Sequence, residues 1–264
     1  MLLSKSDQKL SDEYLNQGFI VRPVADVEAL TWMRNQFIQL IADNVGVESG
    51  DRHEDVLNKI HLKVSAPELN ALRLKIIHSI NAIKEFRHMY FRIARPYLEA
   101  LVGNELAMQL RINLSIQLPG DDSSLLPVHA DTWSGDSPFE VVVWLPFVDC
   151  YLTKAMYLLQ TNFADELSQK FSDRAGRSSE DLYQSIRDDV KQIPVGYGEV
   201  LIFNQGLPHG NRINEENETR WSMNCRFKGI FTPYGDKKIG EFFEPITLRA
   251  ASQAGMMYKL PNAL

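Results

Sequence analysis

Apolar residues in the first hundred positions recur every three or four residues. In Val24 to Val45 the positions Leu30, Met33, Phe37, Ile41 and Val45 fall on one helical stripe. Pro67 stands at a predicted first helical position. From there Leu72, Ile76, Ile80, Ile83, Phe86, Tyr90 and Ile93 continue the spacing to about Arg95, where Pro96 disturbs it. Gly103 suits a helix stop. The period then changes. From Gln109 to Leu118 the residues Gln109, Arg111, Asn113, Ser115 and Gln117 alternate with Leu110, Ile112, Leu114, Ile116 and Leu118, which predicts one strand with a polar and an apolar face. Phe139 to Leu145, Ala155 to Gln160 and Glu199 to Asn204 read as further strands. In Arg220 to Phe231, Arg220, Ser222, Asn224, Arg226 and Lys228 face one way, while Trp221, Met223, Cys225 and Phe227 face the other.

A charged insertion, 161–192, separates two of these strands. Ser178 and Asp181 form a capping box ahead of Leu182, Ile186 and Val190, so the insertion reads as one or two surface helices. A long insertion in a β core is also where a lid or specificity element would sit. Helices followed by short strands predict an α+β chain with a mainly β core. A helical support layer (1–105) would pack on a sandwich or barrel (106–232), followed by a tail (233–264). The 264 residues read as a single domain.

Composition narrows the function. The net charge of −6 makes no basic field and disfavours nucleic acid as partner. Hydrophobic residues at 44% and charged residues at 23% are ordinary for a globular chain, which excludes disorder. No stretch is apolar enough to span a membrane, and the start lacks an apolar leader, so a cytoplasmic protein is expected. The two cysteines, Cys150 and Cys225, form no CxxC and read as small buried hydrophobes.

Six histidines are the chemical resource. His53, His61, His78 and His88 lie in the helical part, none four residues from another, and read as structural. His129 and Asp131 form an HxD pair whose side chains share one side of an extended segment. His209 follows the strand Glu199–Asn204 and a turn holding Gly206 and Pro208, at the open end of a β structure. Arg220 and Ser222 lie past the turn Asn214–Glu218, one strand step apart, as a receptor for a carboxylate. Two neutral imidazoles and a carboxylate make a facial triad with three open positions, which suits non-haem Fe(II). Zinc prefers four-coordinate closure and explains the RxS pair less well.

In this order of elements the sequence resembles the 2-oxoglutarate/Fe(II)-dependent oxygenase superfamily, over roughly residues 105–232. That resemblance implies a double-stranded β-helix, the cupin-like jelly roll. Iron would be held by His129, Asp131 and His209. Arg220 would bind the far carboxylate of 2-oxoglutarate, with Ser222 beside it. The reaction would use O2, release succinate and CO2, and hydroxylate a small molecule. The family's halogenases lack the carboxylate ligand, so Asp131 favours hydroxylation; desaturation and epimerisation stay open. The stretch from Tyr14 to Val24 resembles the phytanoyl-hydroxylase-like branch. His129 to Leu159, HADTWSGDSPFEVVVWLPFVDCYLTKAMYLL, resembles oxygenases encoded among polysaccharide-biosynthesis genes, the sporadic carbohydrate cluster type. This implies a sugar, nucleotide sugar or other carbohydrate precursor as substrate.

Several residues are softer candidates. Asn113 and Gln117 share the polar face before the triad and would reach the C1 side of the co-substrate. Trp133 would line a sugar site by stacking, and Arg226 shares the face of Arg220 toward substrate. Lys154 reads as a solvated lysine. Two other classes compete: a catalytically silent jelly-roll binding protein, and a cupin-like metal-dependent isomerase that needs no 2-oxoglutarate.

Overall fold

The computed structural model describes residues 3–46, 52–169 and 178–261. Its helical part comprises α1 (Lys5–Gln17), α2 (Val27–Val45), α3 (His53–Asn58), α4 (Ala66–Ala82), α5 (Lys84–Arg92) and α6 (Arg95–Leu101), with strand β1 (Phe19–Pro23) after α1. The strands that follow are β2 (Leu106–Gln109), β3 (Asn113–Gln117), β4 (Glu140–Pro146) and β5 (Met156–Leu159). The insertion carries α7 (Thr161–Gln169), α8 (Ser179–Ile186) and β6 (Val190–Ile193). Then come β7 (Glu199–Asn204), β8 (His209–Gly210), β9 (Arg220–Gly229), β10 (Phe243–Thr247) and α9 (Ala250–Met257).

Local chemistry explains the helix starts. Asp26 caps α2 by accepting from the backbone of Ala29, and Ala29, Leu30, Met33, Phe37 and Ile41 form its buried stripe. Ser65 and Glu68 close a capping box on α4, with Pro67 in its first turn. The long helix predicted from Pro67 to Arg95 is broken. Ile83 adopts extended backbone (φ −82°, ψ 104°), and Ala94 separates α5 from α6. The apolar period runs on through the break, because the successive helices bury the same side.

The predicted strand Gln109–Leu118 is also two strands. β2 and β3 occupy the same edge of β9, with Met108 opposite Phe227 and Asn113 opposite Asn224. The extra residues between them leave the ladder as a bulge. Their backbone groups are satisfied elsewhere. Asn81 of α4 both donates to and accepts from the backbone of Ile112, and Leu110 N–H donates to the carbonyl of Phe242. One pair of residues therefore docks the helical layer at the interruption.

The main sheet runs β1–β7–β4–β9–β2–β10, with β3 sharing the β9 edge, and a smaller sheet runs β6–β5–β8. Every strand pairing within them is antiparallel. This is the mainly β jelly-roll core expected for the chain. The insertion differs in one respect. Val190, expected on the stripe of a helix, begins β6 and pairs with Leu159. The helix ends with the Asp189 N–H donating to the Ile186 carbonyl, and the edge of β5 gains a partner.

Lys154 is corrected as well. It is fully buried, and its Nζ donates to Asn58 Oδ1 (3.0 Å) and Glu218 Oε2 (2.8 Å), tying α3 to the β8–β9 loop. The largest buried cluster includes Phe37, Ile76 and Phe86 from helices and Val143, Ile202 and Trp221 from strands. Tyr90 of α5 donates its hydroxyl to the carbonyls of Val143 and Met223, satisfying a buried polar tip within that cluster.

Candidate metal centre

The HxD segment and β8 lie antiparallel. The backbone of His129 and His209 exchanges two hydrogen bonds, of 3.0 and 2.8 Å, and Asp131 N–H donates to the Gln205 carbonyl at 3.0 Å. Two sequence-distant segments thereby bring three side chains together. One ligand atom from each of His129, Asp131 and His209 lies within 4.8 Å of the others. The imidazole rings stand 4.3 Å apart, and Phe203 lies edge-on to His209.

The ring orientations are set by backbone. His129 Nδ1 lies 2.8 Å from the Pro127 carbonyl, and His209 Nδ1 lies 2.8 Å from the Leu207 carbonyl. A carbonyl only accepts, so each Nδ1 carries a proton, and in the neutral ring Nε2 is then the nitrogen with the lone pair. That tautomer presents Nε2 to a divalent ion. Burial, and then the neighbouring His129, push His209 down to about 4, so it is neutral at ordinary pH. Burial would also lower His129, but hydrogen bonds to Asp131 and the Pro127 carbonyl outweigh it and raise its pKa. Burial would raise Asp131. His129, Arg226 and His209 together outweigh that, holding the carboxylate well below its usual range.

Arg226 clasps this carboxylate. Its Nη2 lies 2.8 Å from Asp131 Oδ1, and its Nε donates to Asp131 Oδ2 at 3.2 Å. Gln205 Oε1 also accepts from that Nε, and Gln109 Oε1 accepts from Nη1. Arg226 lines the cavity, but its charge is directed at a triad member rather than left for substrate.

A cavity of about 460 Å³ opens on the triad, within the usual ligand-pocket range of about 300–1,000 Å³. Val142, Trp144, Met156 and Phe203 form apolar wall, and Asn113, Asn211 and Asn224 supply amides. Arg220 also lines it. This residue is 3% exposed, and no carboxylate pairs with it among the described residues. Its Nη2 donates to Ser115 Oγ at 2.9 Å, while its Nε is buried without a partner. Burial lowers its pKa, yet a guanidinium stays charged. Ser222 Oγ, one strand step along the same face, is likewise buried without a partner.

The softer candidates divide. Asn113 lines the cavity and donates to Asn224 Oδ1 (2.9 Å). Gln117 does not; it lies opposite Arg220 at the end of β3, and its Nε2 donates to the Arg212 carbonyl. Ser222 is fully buried and off the cavity surface, and Ser115, its partner across the strands, takes the place beside the Arg220 guanidinium. Trp133 sits on the short helical turn Asp131–Ser134, away from the cavity lining; Trp144 is the tryptophan that lines it. Trp144 belongs to an apolar strand and carries no polar signal in the sequence. Asn224 was legible as part of the polar face of β9, whereas Arg73, on a helix, was not.

No protein-family model matches the chain, and no curated protein matches it. Solved structures do. A non-heme monooxygenase, ThoJ in complex with nickel, is 16% identical, covering 91% of this chain and 84% of its own, with a TM-score of 0.55. HygX from Streptomyces hygroscopicus, with nickel and 2-oxoglutarate bound, is 14% identical over 90% of this chain and 91% of its own, with a TM-score of 0.53. The epimerase SnoN, in complex with Fe3+, alpha ketoglutarate and nogalamycin RO, is 13% identical over 87% and 86%, with a TM-score of 0.52. The chain has the fold of these enzymes.

Proposed function

We propose that the protein is a 2-oxoglutarate- and Fe(II)-dependent oxygenase that hydroxylates a small polar molecule. One observation carries this reading: a buried guanidinium without a carboxylate partner, Arg220, lines the same cavity as a His–Asp–His triad. An unpaired buried charge is costly, so its persistence points to an anionic ligand that completes it. The unsatisfied Arg220 Nε fits a carboxylate, and the two Nε2 lone pairs with Asp131 fit a divalent ion.

Bound iron with 2-oxoglutarate supplies the activation of O2 and the oxidation of a substrate C–H bond, with succinate and CO2 as by-products. The chain's residues do the rest. His129 and His209 hold fixed donors, and Arg226 keeps Asp131 ionised and oriented. Arg220 anchors the distal carboxylate of the co-substrate, and the apolar walls exclude water. The amides of Asn113, Asn211 and Asn224 suit a hydroxyl-bearing substrate, in keeping with a sugar or carbohydrate precursor.

The test is optical. Anaerobic protein with Fe(II) and 2-oxoglutarate should develop the weak visible metal-to-ligand charge-transfer band. His129→Ala should abolish it, and Arg220→Ala should raise the 2-oxoglutarate concentration needed by at least tenfold. Iron-loaded wild-type protein that shows no band would sink the proposal. An isomerase using the same triad would instead bind metal and be indifferent to Arg220→Ala.

A further inference from the structure

The cavity carries more positive charge than the metal and co-substrate account for. Its ionised lining residues are Arg73, Arg220, Arg226 and Asp131. Arg226 is matched by Asp131 through contacts of 2.8 and 3.2 Å. On the reading above, Arg220 is matched by 2-oxoglutarate. Arg73 has no such counterpart: no carboxylate pairs with it among the described residues.

Arg73 is placed there by its helix. The stripe Leu69, Leu72, Ile76 and Ile80 seats α4 in the core, and α4 packs against β3. Arg73 follows Leu72 and lies one turn past Leu69, so it emerges at the rim of the buried stripe, half-buried. Asn70, one turn earlier, accepts from its Nη2 at 2.7 Å and holds the guanidinium in place. Arg73 lines the same cavity as Arg220 and is the more exposed of the two. Ser123 and Ser124 also line this cavity. Their hydroxyls donate to Asp121, at 2.9 and 3.2 Å, which leaves their lone pairs to accept from a ligand hydroxyl.

We propose that Arg73 recognises an oxyanion, carboxylate or phosphate, on the primary substrate, which is therefore a small, acidic, hydroxyl-bearing molecule. This rests on the oxygenase reading, because that reading assigns Arg220 to the co-substrate. A guanidinium offers a fork of donors matched to either oxyanion, and because the chain as a whole is acidic (−6) the attraction for an anion here comes from these local arginines and not from net charge.

The experiment uses a matched set of probes: glycerol, glycerate and glycerol 3-phosphate. Each is titrated calorimetrically into full-length protein loaded with Ni(II) and 2-oxoglutarate, which does not turn over. Wild type should bind at least one of the two anions tenfold or more tightly than glycerol, and the better anion tells carboxylate from phosphate. Arg73→Ala should erase that preference, and Arg73→Lys should retain part of it. Arg73→Ala should leave 2-oxoglutarate affinity unchanged. Equal or absent binding of all three probes by wild type overturns the proposal. So does an anion preference that survives Arg73→Ala, or a loss of 2-oxoglutarate affinity in that variant. Failure of Ni(II)-loaded wild type to take up 2-oxoglutarate overturns the oxygenase reading instead, and is seen before any probe is added.

Discussion

At the residue scale, the Asp131–Arg226 pair decides how the centre behaves without its metal. Both side chains are largely buried, at 7% and 13% exposure. Removing one partner of a buried ion pair typically costs about 3–5 kcal/mol, because the other charge stays buried and unmatched. A divalent ion beside Asp131 would replace the missing positive charge. Arg226→Leu should therefore lower the melting temperature strongly in EDTA and much less with Ni(II) present. Thermal melts of wild type and variant under both conditions check this. An equal loss with and without metal would show that Arg226 acts on the fold and not through the carboxylate. The sequence put Arg226 on the correct face of its strand. It did not reveal the partner, since alternation assigns a face while the acceptor depends on which loop crosses above it.

At the element scale, the centre hangs on β8, a strand of two residues. A Cβ on Gly210 would stand 2.6 Å from the Tyr157 hydroxyl and 2.7 Å from the Leu126 carbonyl. The second neighbour is backbone, so either β8, which carries His209, or the 126–129 segment, which carries His129, would have to move. Gly210→Ala should weaken metal binding by at least tenfold, read by titration with Ni(II), while far-UV circular dichroism stays native. Unchanged affinity would show that β8 and its neighbour absorb the methyl without shifting either histidine. Such an element is invisible to periodicity, because two residues have no period. The strands that were legible, β4, β5, β7 and β9, are either largely apolar or strictly alternating. Breaks were harder to read than elements. The 110–112 bulge and the turn at Ile83 both sit inside unbroken hydrophobic patterns, and the Asn81–Ile112 bonds that stabilise the bulge join residues remote in sequence. The same limit hid Arg73, which periodicity reads only as the flank of a buried stripe.

At the scale of the whole molecule, we read the helices and the jelly roll as one cooperative unit. Phe37 of α2 shows why. Its ring lies 6.1 Å from Phe86 of α5, 4.7 Å from Phe147 just after β4, and 5.8 Å from Trp221 of β9. Trp221 in turn donates its indole N–H to the Leu57 carbonyl of α3 at 2.9 Å. A contact graph of this kind leaves no plane along which the layers part without exposing aromatic surface. Unfolding followed by helical circular dichroism and by tryptophan fluorescence should give coincident curves. Phe37→Ala should shift both together by about 3–5 kcal/mol, the usual cost of emptying an aromatic core site. Curves that separate, with helix signal lost first, would mark the helical layer as an independent part. The distinction bears on chemistry as well as stability. α4 presents Arg73 to the cavity, while β9 presents Arg220 and Arg226. If the layers unfold together, destabilising the helices cannot remove the proposed anion site while leaving the metal centre folded, and substrate selection and metal binding are lost in one step.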